Sequence, residues 1–358
     1  NYGKRLTRAE VFSALHGGSR GDDNTRTLAD IVLHIDATYL FGAIDEDTVL
    51  RTILARRGHN VGRDIRKEFD LDRDSREFPN ETSAQAYKTG EQALAQAVKF
   101  LQNEAGVPHF SFLAYRHLLV VLTRFFAHHS EPNPRNIGLL RRWFWRATIV
   151  GPAVFGGGTQ ASRVLCSQIT PSDEVESVQS LLKVVSDYPL KLPNIHSFKS
   201  TAASTRILLC AMWSRHPRSF STGKPYLQDE LGRALEGRRT PSDAVYTIFQ
   251  KGPSGGGALA ANRFLFMGED TVEFARDIFQ RRLKEMPDLS WLELLASHVI
   301  DGDTVDALLE EDDSHFLQLR EARLNDLVSE FLRSKAETSF EDTPPLSSLI
   351  IDEEDEED

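Results

Sequence analysis

The stretch from Pro108 to His129 constrains the fold most, because its apolar residues would cover every side of a helix. Phe110, Phe112, Leu113, Leu118, Leu119, Val120, Val121, Leu122, Phe125 and Phe126 crowd it, while Arg116, His117 and Arg124 interrupt it. A membrane span needs roughly 20 consecutive apolar residues, which this run does not supply. The spacing predicts a core helix instead, and a helix apolar on all sides has to be wrapped by other elements.

Candidate neighbours announce themselves by their start signals. Thr7 with Glu10 three positions on is a capping box, ahead of Val11, Phe12 and Leu15 on one helical face, and Gly17 and Gly18 close that helix. Thr27 is expected to cap a helix with Leu28, Ile31, Val32 and Ile35 inward; Asp45 opens the next, and Thr82 begins a long one ended by Gly106. Pro134 suits the first turn of a helix that carries Trp143, Phe144 and Trp145. Further helices are expected near 172–186, 198–215, 241–250, 270–285, 289–299, 303–310 and 312–335. Alternation of the strand type never extends beyond a few residues, and no fixed repeat is visible. The fold class that follows is mainly α, a multi-helix assembly.

Charge divides the chain. The 358 residues carry a net −11, yet residues 341–358 alone hold nine carboxylates and no Lys or Arg. Residues 113–251 have 18 Lys and Arg against 9 Asp and Glu, and residues 252–340 reverse those numbers. A polyanion-binding middle and an internal electrostatic match are both consistent with this. Residues 56–80 are dense in both signs and read as an exposed charged connector or an ion-paired helix. From residue 337 onward Thr, Pro, Ser and acids predict a disordered acidic tail. Cys166 and Cys210 sit in apolar stretches without partners at metal spacing, so they read as reduced, buried thiols of a cytoplasmic protein. No secretory signal or membrane span is read.

The opening string Asn-Tyr-Gly-Lys-Arg-Leu-Thr-Arg-Ala-Glu-Val-Phe-Ser-Ala-Leu resembles a segment of a bacterial family of unknown-function domains. That family includes the S half of the type IV, modification-dependent restriction enzyme GmrSD, and its N-terminal domain has a ParB/sulfiredoxin-like α/β fold. Leu139–Arg146, Pro217–Gly223, Ala261–Phe266 and the segment 297–320 resemble later family segments in the same order. The resemblance implies that residues 1–55 are the truncated edge of a ParB-like domain and the helices after it. Residues 81–240 would be a helical domain, and 241–336 a C-terminal helical region with a degenerate HNH-like nuclease module.

The resemblance also implies chemistry that lies elsewhere. Active members use an Asp-Gly-Gln-Gln-Arg-type motif, which is not found in these residues. Asn1, Gly3, Lys4 and Arg5 match the segment after it and would be nucleotide-proximal, with Lys4 and Arg5 holding phosphate. As plain sequence, the same four are exposed turn residues. Thr247 falls where the nuclease His would stand, and a Thr hydroxyl is no general base near neutral pH; Asn262 would be the surviving Asn. No catalytic residue and no metal ligand is therefore expected in this chain, and no cofactor; a nucleoside triphosphate with Mg belongs to the full-length protein.

Binding is the remaining candidate. Arg141, Arg142 and Arg146 beside Trp143 and Trp145 suit DNA, since Arg grips phosphate in a fork and Trp offers a stacking face. Equally, the two Trp can pack a core with the Arg side chains reaching solvent. Lys199, Arg206, Arg215, Arg218 and Lys224 would extend a basic surface if they share that side. His128 and His129 read as solvated helix-end residues, and the triplets at Gly156 and Gly255 as flexible turns, since neither is followed by the Lys-Ser/Thr of a P-loop. DNA, a partner protein or a second copy of the chain are the partners expected, and no membrane.

Overall fold

Helix starts follow the side chains that cap them. In a computed structural model, residues 6–17, 26–70, 77–220, 222–238, 240–249, 258–267 and 289–336 are described. Helices α1 (Arg8–His16), α2 (Leu28–Tyr39), α3 (Glu46–Arg56) and α4 (Ser83–Phe100) begin behind Thr7, Thr27, Asp45 and Thr82. Each of these four side chains accepts the amide three residues on. Such a cap contributes about 1 kcal/mol. Helix α4 runs into a π-helical turn, Leu101–Ala105, which Gly106 closes in the left-handed region at φ 77°.

Helix α5 (Arg116–His128) is the central element. Every residue from His117 to Phe126 is buried, and the helix packs against α3, α4 and α7 (Gly158–Cys166). Around this centre lie α6 (Pro134–Val150), α8 (Glu174–Ser186), α9 (Ala203–Trp213) and α10 (Gln228–Ala234). The chain closes with α11 (Leu289–Ser297), α12 (Gly302–Leu309) and α13 (Asp313–Ala336). The protein is thus mainly α. Buried side chains from Ala9 to Ala336 join one apolar cluster. Among the described residues, no helix is long and apolar enough to cross a membrane.

Three expectations need correction. Residues 241–250 are not a helix: a 3₁₀ turn at Pro241–Ala244 leads into strand β1 (Val245–Thr247), antiparallel to β2 (Arg263–Leu265). The β-branched and aromatic run Val-Tyr-Thr-Ile-Phe favours the pleated form once a partner strand arrives. Helix α7 (Gly158–Cys166) starts on the last glycine of the first triplet, in a stretch for which no helix is expected from the sequence. The charged segment is not simply solvated. The Glu68 side chain is wholly buried between Arg57 and Arg63, with Arg57 Nε 2.9 Å from its Oε1 and Arg63 Nε 2.7 Å from its Oε2. The expected helix at 270–285 and the acidic tail lie outside the described residues.

Candidate functional site

The arginine-tryptophan helix is α6, and its aromatic face points inward. Trp143 is 0% and Trp145 1% exposed. The Trp145 indole donates to the Ala105 carbonyl at 3.0 Å, and its ring meets Phe331 of α13 edge-on at 4.9 Å. Arg142 and Arg146 are buried with them, and Arg146 Nε donates to the Ala336 carbonyl at 3.1 Å. Arg141 is half-buried. Two of the three arginines picked for DNA contact thus lie against the body of the protein, because α13 closes over the face that carries them. Of the basic residues expected to extend this surface, Lys199, Arg215 and Lys224 are exposed. Arg206 instead turns one nitrogen to the Leu113 carbonyl at 2.7 Å.

The hairpin β1–β2 holds the two residues matched to a nuclease. Thr247 lies opposite Arg263 in the register and is half-buried. Asn262 is fully buried and clamps the Phe249 backbone: Phe249 N–H donates to its Oδ1 at 2.8 Å, and its Nδ2 donates to the Phe249 carbonyl at 3.1 Å. Its neighbour Ala261 offers its carbonyl to Arg320 of α13. The amide of Asn262 holds the hairpin together, and the Thr247 hydroxyl is not a base. Asn1, Gly3, Lys4 and Arg5 lie outside the described residues.

The histidines are structural rather than solvated. His128 is 3.1 Å from the Glu77 carboxylate, and His129 is 3.1 Å from the Ser177 hydroxyl; both are largely buried. His298 is buried and contacts the Arg218 carbonyl at 2.7 Å, while Asp301 and Asp303 pair with Arg323 instead. Among the described residues no cluster of three His, Cys, Asp or Glu is arranged to hold a metal. Burial pushes the Cys166 thiol up to about 12 and the Cys210 thiol higher still, so neither offers a thiolate near neutral pH.

A cavity of about 370 Å³ went unforeseen in the sequence. It is lined by Ala43, Asp45, His109, Phe110, Ser111, Arg116, Arg206, Gly237 and Arg238. These come from the entry to α3, a 3₁₀ turn at Phe110–Phe112, the first residue of α5, the first turn of α9 and the loop after α10. No local spacing marks such a set; the one available signal was the surplus of Arg in the middle of the chain. No protein-family model matches this chain, and no curated protein does.

Proposed function

We propose that this chain is the helical, partner- or DNA-contacting part of a nucleotide-dependent restriction or anti-phage defence protein, and that it is not catalytic on its own. The reading rests on the family resemblance, and one observation supports it. At the place where a nuclease hairpin would carry its His, there is an antiparallel hairpin with Thr247 on one strand and Asn262 at the foot of the other, its amide engaged with the Phe249 backbone. A hairpin with that scaffold and no base is what a nuclease module that has lost its reaction would leave. The ParB-like nucleotide domain, the nucleoside triphosphate and Mg belong to the parent protein, in the cytoplasm. With Arg142 and Arg146 buried, DNA contact would fall to Arg141 and to exposed residues such as Lys199, Arg215 and Lys224.

A second reading is a non-catalytic scaffold for a partner protein. It is favoured by Leu33, 68% exposed on the wall of a groove of about 1090 Å³ between α2 and α4. One experiment separates the readings. Cells carrying the parent gene are challenged with phage, with or without deletion of the hairpin, while the purified chain is assayed with DNA, GTP and Mg. Protection lost on deletion, with no cleavage by the chain alone, is the expected result. DNA cleavage by the chain alone, abolished by a substitution within it, would overturn the non-catalytic assignment. Unchanged phage sensitivity together with capture of a defined partner through the Leu33 groove would favour the scaffold.

A further inference from the structure

We infer that the cavity beside the start of α5 is a binding site for a phosphate-bearing small anion. Arg116, Arg206 and Arg238 line it together with a single carboxylate, that of Asp45. That carboxylate is already engaged: it caps α3 through the Thr48 amide at 3.0 Å and meets Arg116 at 2.8 Å. Arg238 Nε in turn lies 3.6 Å from the Asp243 carboxylate, so of the three guanidinium groups Arg206 is the one that no carboxylate among the described residues answers, and the cavity keeps one positive charge in excess.

Arg206 is the least compensated of the three. Among the described residues no carboxylate forms an ion pair with it. Its Nη1 is held by the carbonyls of Leu113 and Ala114, while its Nε is buried without a hydrogen-bond partner. Burial first, and the adjacent charge of Arg116 second, push its guanidinium below the usual value. A half-buried cation beside another cation is costly unless an anion compensates it.

His109 forms part of the cavity wall, its ring edge at Nε2 packed against Gly42 in the space that a Cβ there would take. The amide of Ser111 donates to its Nδ1 at 3.1 Å, which fixes that nitrogen as the acceptor and puts the ring proton on Nε2. Nε2 is buried without a partner, in a residue only 3% exposed, and burial holds the ring neutral by lowering its pKa to about 4. Helix α5 begins at Arg116 with no side-chain cap and no acid in its first turn, so its positive end adjoins the same cavity. Guanidinium forks match a tetrahedral dianion, which is how proteins grip phosphate. The volume lies in the range of small-ligand pockets. The assignment stands on this geometry alone and is independent of the restriction reading.

Calorimetry on the full chain tests it, with inorganic phosphate and adenosine 5′-monophosphate as probes and chloride adjusted to constant ionic strength. Saturable, one-to-one binding is expected for at least one probe. Arg206→Gln should weaken it about tenfold or more, the effect of losing a charge-assisted hydrogen bond. Because Arg206 also braces the Leu113 carbonyl, Arg238→Gln is the companion variant: its side chain is 59% exposed, so folding is not at stake, and a drop of a few-fold is expected. Arg233→Gln, 71% exposed and paired only locally with Asp229, should change nothing. Tighter binding of the nucleotide than of phosphate would extend the site to the nucleoside; equal binding would confine it to the phosphoryl group. Absence of saturable binding for both probes would overturn the assignment, as would equal losses in the Arg233 and Arg238 variants.

Discussion

Arg124 and Arg320 are both almost fully buried, at 2% and 0% exposure, yet different chemistry holds them. Arg124, in the central helix α5, meets both oxygens of Glu77 at 2.6 and 2.9 Å and also donates to the carbonyls of Ala55 and Cys166. Arg320, in α13, donates to the carbonyls of Ala261 and His298, and its Nε has no partner. Burial pushes the Arg320 guanidinium down to about 9. The first arrangement is an ion pair sealed under a connecting segment. The second is a cationic peg that ties a hairpin and a turn to the last helix. In the N-terminal half, charge is answered by charge, since Arg57 and Arg63 share Glu68 in the same way. At Arg320, charge is answered by peptide dipoles.

Removing one member of each arrangement tests that contrast. Arg124→Met should be the most damaging change, at about 3–5 kcal/mol, because it strands a carboxylate that has lost its cation. Urea denaturation measures it, and Glu77→Gln in the same chain should recover part of the loss. No recovery would show that the arginine acts through its carbonyl contacts. Arg320→Met should cost less, about 1–3 kcal/mol, because it strands carbonyls rather than a charge. A larger loss than at Arg124 would reverse the comparison.

Acid sharpens it further. Burial works to raise the Glu77 carboxyl, but His128 and Arg124 outweigh it and hold the group at about 2 against an ordinary 4.5. A depressed carboxyl stabilises fully above its unfolded value, so this contribution is complete above about 4.5 and disappears as pH falls toward 2. His109 and His117 act at higher pH. Burial lowers both from 6.5 to about 4, so the unfolded chain takes up their protons first and stability falls as pH drops through that interval. Melting temperature against pH should therefore decline in two stages, and Glu77→Gln should remove only the lower one. The smallest effect is expected at Thr247→Val: under about 0.5 kcal/mol, as for a half-buried residue away from any network. A large loss there would give Thr247 a role that its place opposite Arg263 does not suggest.

What was legible in the sequence was local. Thr7, Thr27, Asp45 and Thr82 lie three residues from the amides they cap, so a short window contains both partners. The burial of α5 was legible because its composition leaves no polar face. Strand β1 escapes a local reading because its partner begins 16 positions after it ends, at Arg263–Leu265, and only pairing separates Val-Tyr-Thr from a helical turn. Arg124 and Glu77 stand 47 positions apart, so no local window shows that the mixed-charge segment answers a charge in the core. The cavity failed for the same reason. Arg116 had entered only as an interruption of an apolar run and Arg206 as part of a basic surface, while His109 and Arg238 carried no signal at all. Folding brings these four together from four separate segments.

The π-helical turn at the end of α4 sets an order of events during synthesis. Its Ala105 carbonyl receives Trp145, and its Glu104 carbonyl receives the Lys335 ammonium at 2.9 Å, so one irregular turn anchors both α6 and α13. Residues 313–336 are synthesised after all of α6, whose last residue is Val150. Until they are, Trp145 lacks the edge of Phe331 and Arg146 lacks the Ala336 carbonyl. The nascent chain therefore carries an uncovered strip of tryptophan and arginine along α6, the kind of transiently open apolar surface on which chaperones act. Arrival of the last helix is what withdraws it.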